Sequence, residues 1–269
     1  MSAWSSAFAF ALVAFLGALG AGLAPRYLPA FKAGHWPATT AIAAGLLLAS
    51  AMVIVIPEGF EMLFMLHAPN TIPHSDTFLT LPPVLASGLA ILGGFLLMLG
   101  LESWGIGHEI ESPGDPTPLL SLGLALHALT DGLAIGASIA TGLMAVSVPI
   151  LTAVMVHKLP VAFGLGAFLW RKENPASDPW RQLLRFSLAT PAGLLITFLF
   201  LHRLSHEWIG LLLLFSGGTF LYVAAVDVLS HIRQDQPPPV LFRRILIGVI
   251  ILVTLLILFH NLGFEESHL

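Results

Sequence analysis

Long uninterrupted apolar runs dominate this chain, and they constrain its architecture more than any other feature. A helix crossing the hydrocarbon core of a bilayer needs roughly 20 mainly apolar residues. Runs of that kind cover residues 5–24, 38–64, 84–101, 118–142, 147–170, 186–201, 209–229 and 242–260 of the 269. Inside lipid each run must satisfy its own backbone amides, which an α-helix does and an open sheet does not. An outer-membrane barrel would alternate apolar and polar residues along each strand, and these runs are continuous. The reading is an all-α polytopic membrane protein: one transmembrane domain over 1–269, with eight spans joined by short connections. Composition agrees, because charged residues make up 10% of the chain and hydrophobic ones 57%, whereas a soluble domain is about a quarter charged. A soluble enzyme and a disordered chain are thereby excluded. Eleven basic residues in a chain of net charge −4 leave little to neutralise phosphates, so nucleic acid is not an expected partner. The absence of cysteine removes disulfides and thiolate ligands.

Orientation follows from the basic residues. Arg26 and Lys32 lie in the first connection, Arg171, Lys172, Arg181 and Arg185 in the fifth, and Arg233, Arg243 and Arg244 in the seventh. Nine of the eleven therefore fall in odd-numbered connections, while Arg203 stands alone on the opposite side and Lys158 lies within a span. The positive-inside bias places those connections in the cytoplasm and both termini outside. The first run is read as a retained helix rather than a signal peptide, since its charge follows the apolar stretch instead of preceding it.

Ionisable groups in mid-bilayer are costly unless they find a partner or water, so the few inside these spans carry the information. They are Glu58 and Glu61 in span two, His127 and Asp131 in span four, His157 and Lys158 in span five, and Asp227 in span seven, with His231 just beyond. His127 and Asp131 are four apart and share one helix face. An imidazole and a carboxylate at that spacing can chelate one divalent cation such as zinc, or can simply form a hydrogen-bonded pair that pins two helices. In span five, Pro160 removes a backbone donor beside His157, and Pro57 does the same before Glu58 in span two. A helix break is expected at each, as in transporters whose interrupted helices aim freed carbonyls into a cavity. Lys158 requires an anion, which Asp131 or Glu58 could supply. Its ammonium could be structural, could snorkel to an interface, or could occupy the place of a second metal ion.

Span four, His127-Ala-Leu-Thr-Asp131-Gly132-Leu-Ala-Ile-Gly136, resembles the fourth-helix signature of the ZIP family of divalent-metal transporters. Span five, His157-Lys158-Leu-Pro160-Val-Ala-Phe-Gly164, resembles that family's fifth-helix signature, in the subgroup with Lys after the first His. Val55-Ile56-Pro57-Glu58-Gly59 and Gly218-Thr219-Phe220-Leu221-Tyr222-Val223-Ala224 are similar to further family segments. The resemblance implies a 3+2+3 arrangement, with helices 1–3 and 6–8 related by an inverted repeat. It also implies metal passage between helices two, four, five and seven through a two-metal centre. Ala128, Lys158 and Val161 stand where the family usually has Asn, an acidic ligand and another ligand. These departures reduce the implied centre to one metal held by His127, Asp131 and His157, completed by Glu58, Glu61 or water, with Lys158 as a tethered substitute cation. The family's histidine-rich loop between helices three and four is reduced to an acidic stretch with His108, so metal sensing there is not expected.

The expected function is uptake of Zn²⁺ or a similar divalent ion toward the cytoplasm, with the metal as substrate and no cofactor. Lipid surrounds the protein, and a homodimer is the candidate assembly. Compact connections point to a prokaryotic inner membrane, with a eukaryotic internal membrane as the alternative. The small residues Gly132, Gly136, Ala140, Gly164 and Gly166 would let helices slide closely past one another. A rival reading is an intramembrane metal-dependent hydrolase in which the same His/Asp/His set activates a zinc-bound water. No HExxH sequence occurs, and Lys158 beside the metal makes a poor base. A metal-independent scaffold would leave the buried polar set without a purpose.

Overall fold

The computed structural model describes residues 3–27, 36–64, 81–104, 117–140, 144–170, 178–200, 206–233 and 236–261. Its helices are α1 (Ala3–Tyr27), α2 (Trp36–Ala49), α3 (Ile56–Phe64), α4 (Pro83–Ser103), α5 (Thr117–Ala140), α6 (Met144–Leu169), α7 (Pro179–Phe200), α8 (His206–Tyr222), α9 (Leu229–Ile232) and α10 (Pro238–Asn261). A π-helical stretch, Ser50–Val55, joins α2 to α3 within the second span, and another, Val223–Val228, joins α8 to α9 in the seventh. Among the described residues, eight helical stretches are long and apolar enough to cross a membrane. Their outward faces are greasy: Val84, Leu92 and Leu96 on α4 and Leu246, Ile250 and Ile257 on α10 are exposed. In water such faces would form apolar patches far larger than a soluble monomer shows.

Two sequence expectations need correction. The sixth span begins at Pro179 rather than at residue 186. Its first two turns carry Trp180, Arg181, Gln182 and Arg185, polar and interfacial residues that depress hydropathy without interrupting the helix. The helix breaks expected at Pro57 and Pro160 do not occur. α6 is helical through Pro160 from Met144 to Leu169, because a proline removes one hydrogen bond while the turns on either side keep theirs. Near Pro57 the chain stays helical but changes register, with the π-helical stretch ending at Val55. A proline ring collides with the carbonyl four residues back, and the wider π turn lies where that carbonyl belongs. The connections bearing Lys32, His108, Arg171, Lys172 and Arg203 lie outside the described residues.

Packing separates into two sets of helices. In one, α5 lies on α7 and α1 lies on α6 and α7; in the other, α2 lies on α10 and α8 on both α3 and α4. Within each set backbones touch at glycines. A Cβ on Gly193 would fall 2.1 Å from the Leu129 carbonyl oxygen, and one on Gly132 would fall 2.1 Å from that of Thr190. Gly22 and Gly166, Gly45 and Gly248, and Gly94 and Gly218 mark the same close approach in the other helix pairs. Between the sets, glycines meet side chains instead: Gly164 faces Leu47, and Gly123 faces Val223 and Met98. Gly132, Gly136 and Gly166 therefore clamp helices within one set rather than provide the sliding surface expected of them. Gly164 does face the boundary. The Tyr222 hydroxyl donates to the Glu102 carboxylate, tying α8 to α4 within the second set.

Candidate metal centre

α5 and α6 pack against each other, and polar residues midway along both helices meet in the interior. The i, i+4 spacing on α5 sets His127 above Asp131, with Nε2 to Oδ1 at 3.6 Å. From α6, His157 brings its Nε2 to 3.5 Å from the same oxygen. Ligand atoms of the three lie within 4.8 Å of one another, and each side chain is about 1% exposed. Tetrahedral zinc with bonds of about 2.0–2.1 Å separates neighbouring ligand atoms by about 3.4 Å, close to both distances to Asp131. At 3.5–3.6 Å neither contact is a good hydrogen bond. His127 Nε2 and Asp131 Oδ2 have no hydrogen-bond partner. Buried polar atoms are almost always paired; Oδ2 faces the Lys158 ammonium, and the ring nitrogen is poised for a cation.

Lys158 points into the same space. Its Nζ is 3.8 Å from Asp131 Oδ2 and 4.5 Å from the centroid of the Phe186 ring on α7. Snorkelling to an interface is thus excluded, since the side chain is 1% exposed. Lys158 supplies a fixed positive charge on one carboxylate oxygen while two imidazoles approach the other.

The remaining sequence candidates divide. Glu58 on α3 is half-buried, and its carboxylate is not among the ligand atoms that converge. Glu61 is exposed and does not converge with the three. Pro57 is exposed and Pro160 half-buried. Asp227 is buried on the second π-helical stretch. The side chain of His231 lies outside the described ones.

Two neighbours, Ser216 and Thr190, escaped sequence reasoning, and a third, Phe220, lies in the quoted span-seven segment without a role assigned to it. Ser216 Oγ lies 3.0 Å from His127 Nδ1, and Phe220 stacks on the same imidazole at 5.0 Å. Both are on α8, four residues apart, so one face of that helix holds the ring. Thr190 Oγ1 donates to the Ala128 carbonyl at 2.6 Å, fastening α7 to the turn that carries the α5 ligands. The signal for Ser216 was a hydroxyl two residues before the quoted span-seven segment.

A family model described as ZIP zinc transporter matches residues 114–259. The frog protein named Zinc transporter ZIP9-A, from Xenopus laevis, is 30% identical over 266 residues, covering 86% of this chain and 86% of its own. The chain belongs to the ZIP family. Zinc transporter ZIP9 of the fish Micropogonias undulatus is 32% identical over 231 residues, covering 72% of this chain and 74% of its own. Zinc transporter ZIP9 of Macaca fascicularis is 42% identical over 117 residues, covering 41% of this chain and 50% of its own. Membership in the ZIP family and eight membrane-length helices make this an integral membrane protein. ZIP proteins are transporters rather than enzymes, and the hydrolase alternative finds no support among these relatives.

Proposed function

We propose that this chain carries a divalent metal ion, zinc foremost, across the membrane into the cytoplasm through one site formed by His127, Asp131 and His157. The observation that carries the reading is the convergence of these three buried side chains from α5 and α6 on one point. Glu58, Glu61 or water completes the coordination; of the two carboxylates Glu58 is half-buried and Glu61 exposed. Lys158 takes the place of a second ion, setting a fixed positive charge beside Asp131.

Orientation with both termini outside is supported by the nine basic residues in the odd-numbered connections or on the helix ends that border them. It is supported too by the cluster of Arg26, Trp170 and Trp180 at the ends of the first, fifth and sixth spans, an arginine stacked on interfacial aromatics. The inverted repeat is supported by recurring contacts. The second span lies on the eighth as the third lies on the seventh, and the first lies on the fifth as the sixth lies on the fourth. The π-helical stretches fall in the second and seventh spans, which such a repeat would exchange. Release toward the cytoplasm would follow a displacement of one helix set against the other along the side-chain boundary. A homodimer and a prokaryotic inner membrane belong to this reading as well, the latter resting on compact connections alone, since the relatives named above are eukaryotic.

The test is zinc flux. Purified protein in liposomes loaded with a zinc-sensitive dye should admit zinc, and His127→Ala and Asp131→Ala should each reduce the initial rate at least tenfold. A wild-type protein that moves no metal, or variants that move it at the wild-type rate, would overturn the proposal.

A further inference from the structure

The second ring nitrogen of His127 has a side-chain partner on a helix of the other set. Nδ1 is 3.0 Å from Ser216 Oγ, both residues are about 1% exposed, and Phe220 covers the ring face one turn further along α8. His127 belongs to the set containing α5, α6 and α7, and Ser216 to the set containing α8 and α4. The contact therefore crosses the boundary where packing is by side chains.

The chemistry of the ring decides how the bond is used. A neutral imidazole carries one N–H and one lone pair. Nε2 faces Asp131 Oδ1 at 3.6 Å and can bind a metal there only through its lone pair. The ring's one proton must then sit on Nδ1, where Ser216 Oγ is within hydrogen-bond distance. With the proton on Nδ1, it is donated to Ser216, and the Nε2 lone pair is turned toward Asp131 and His157. We infer that Ser216 is a positioning residue for metal binding: it accepts the His127 Nδ1 proton, holds Nε2 in ligating form, and does so only while α5 and α8 keep this register. Displacement of the two sets would separate Ser216 and Phe220 from the ring together and release both its tautomer and its orientation. Ser216 thus makes affinity high in one arrangement of the helices and low in the other. The inference rests on the transport reading above for its consequence, though the tautomer itself is independent of transport.

Two measurements test it. In zinc-loaded protein with ¹⁵N-labelled histidine, the His127 signals, assigned by their loss in His127→Ala, should show the proton on Nδ1. Ser216→Ala should move the Nδ1–H resonance as its acceptor is lost, and Ser216→Thr, which keeps the hydroxyl, should not. In liposomes, Ser216→Ala should raise the zinc KM about tenfold or more, as loss of a partner behind a metal-bound imidazole commonly does. The maximal rate should fall less than the affinity, and Ser216→Thr should restore the KM. A wild-type ring protonated on Nε2 would overturn the inference. So would a Ser216→Ala protein whose KM stays within twofold of wild type while His127→Ala is inactive. If His127→Ala transports normally, the metal-site reading fails instead, while the Nδ1 assignment is decided separately by the spectra.

Discussion

Lys158 holds its ammonium 3.8 Å from Oδ2 of Asp131, in an interior where both side chains are almost wholly inaccessible. Two charges brought out of water cost several kcal/mol each unless they compensate one another. Removing one partner strands the other. Asp131→Asn should therefore lower stability by about 3–5 kcal/mol, and adding Lys158→Met should recover much of that loss by deleting the stranded charge. Thermal unfolding in detergent reads both. A double variant no more stable than Asp131→Asn alone would mean that the pair does not interact.

Lys158 also bears on metal stoichiometry. Replacing a fixed cation by a carboxylate beside Asp131 creates an acidic pocket suited to another divalent ion. Lys158→Glu should bind two zinc ions per chain where the wild type binds one, measured by metal analysis after gel filtration. The same count in both proteins would remove the substitute-cation reading.

Acidification should weaken binding. Both imidazoles must offer a lone pair, and a proton on either competes directly with the metal. As pH is lowered across the imidazole range, zinc KM should rise, and it should fall again when pH is restored. The direction is fixed because metal binding releases protons. Initial rates at several zinc concentrations and pH values check it, with a valinomycin-clamped membrane potential to hold the driving force constant.

The glycine clamps give a test of packing independent of metal. A Cβ at Gly193 would sit 2.1 Å from the Leu129 carbonyl, against backbone that cannot rotate away, whereas one at Gly88 meets nothing within 4 Å. Gly193→Ala should cost about 1–3 kcal/mol, the usual range for overpacking. Gly88→Ala should stay within about 0.5 kcal/mol of wild type. Comparing their unfolding temperatures isolates the effect of close α5–α7 approach from that of adding a methyl group to a membrane helix.

Much of this molecule follows from local rules that need no tertiary information. Lipid solvation demands helices, so an apolar run of span length declares itself, and eight did. Periodicity put His127 and Asp131 on one face because four residues make about one turn. The start of α7 was misread because Arg181 and Gln182 lower hydropathy while remaining helical, and hydropathy measures solvation rather than backbone geometry. The effects of Pro57 and Pro160 were overstated for a related reason. A missing donor is a local fact, but whether the helix breaks, widens into a π turn or continues depends on what surrounds it.

By itself, then, the sequence determined that this chain is helical, membrane-embedded and furnished with a few costly ionisable groups, since each of these depends on residue type and spacing alone. Tertiary structure decided which of those groups meet. Oδ1 of Asp131 is approached by imidazoles from two helices, Lys158 faces the other oxygen, Glu61 is left outside, and Ser216 on a distant span stands behind His127. Those contacts are set by how the helices pack against one another, and such packing joins residues far apart in the chain that no local pattern connects.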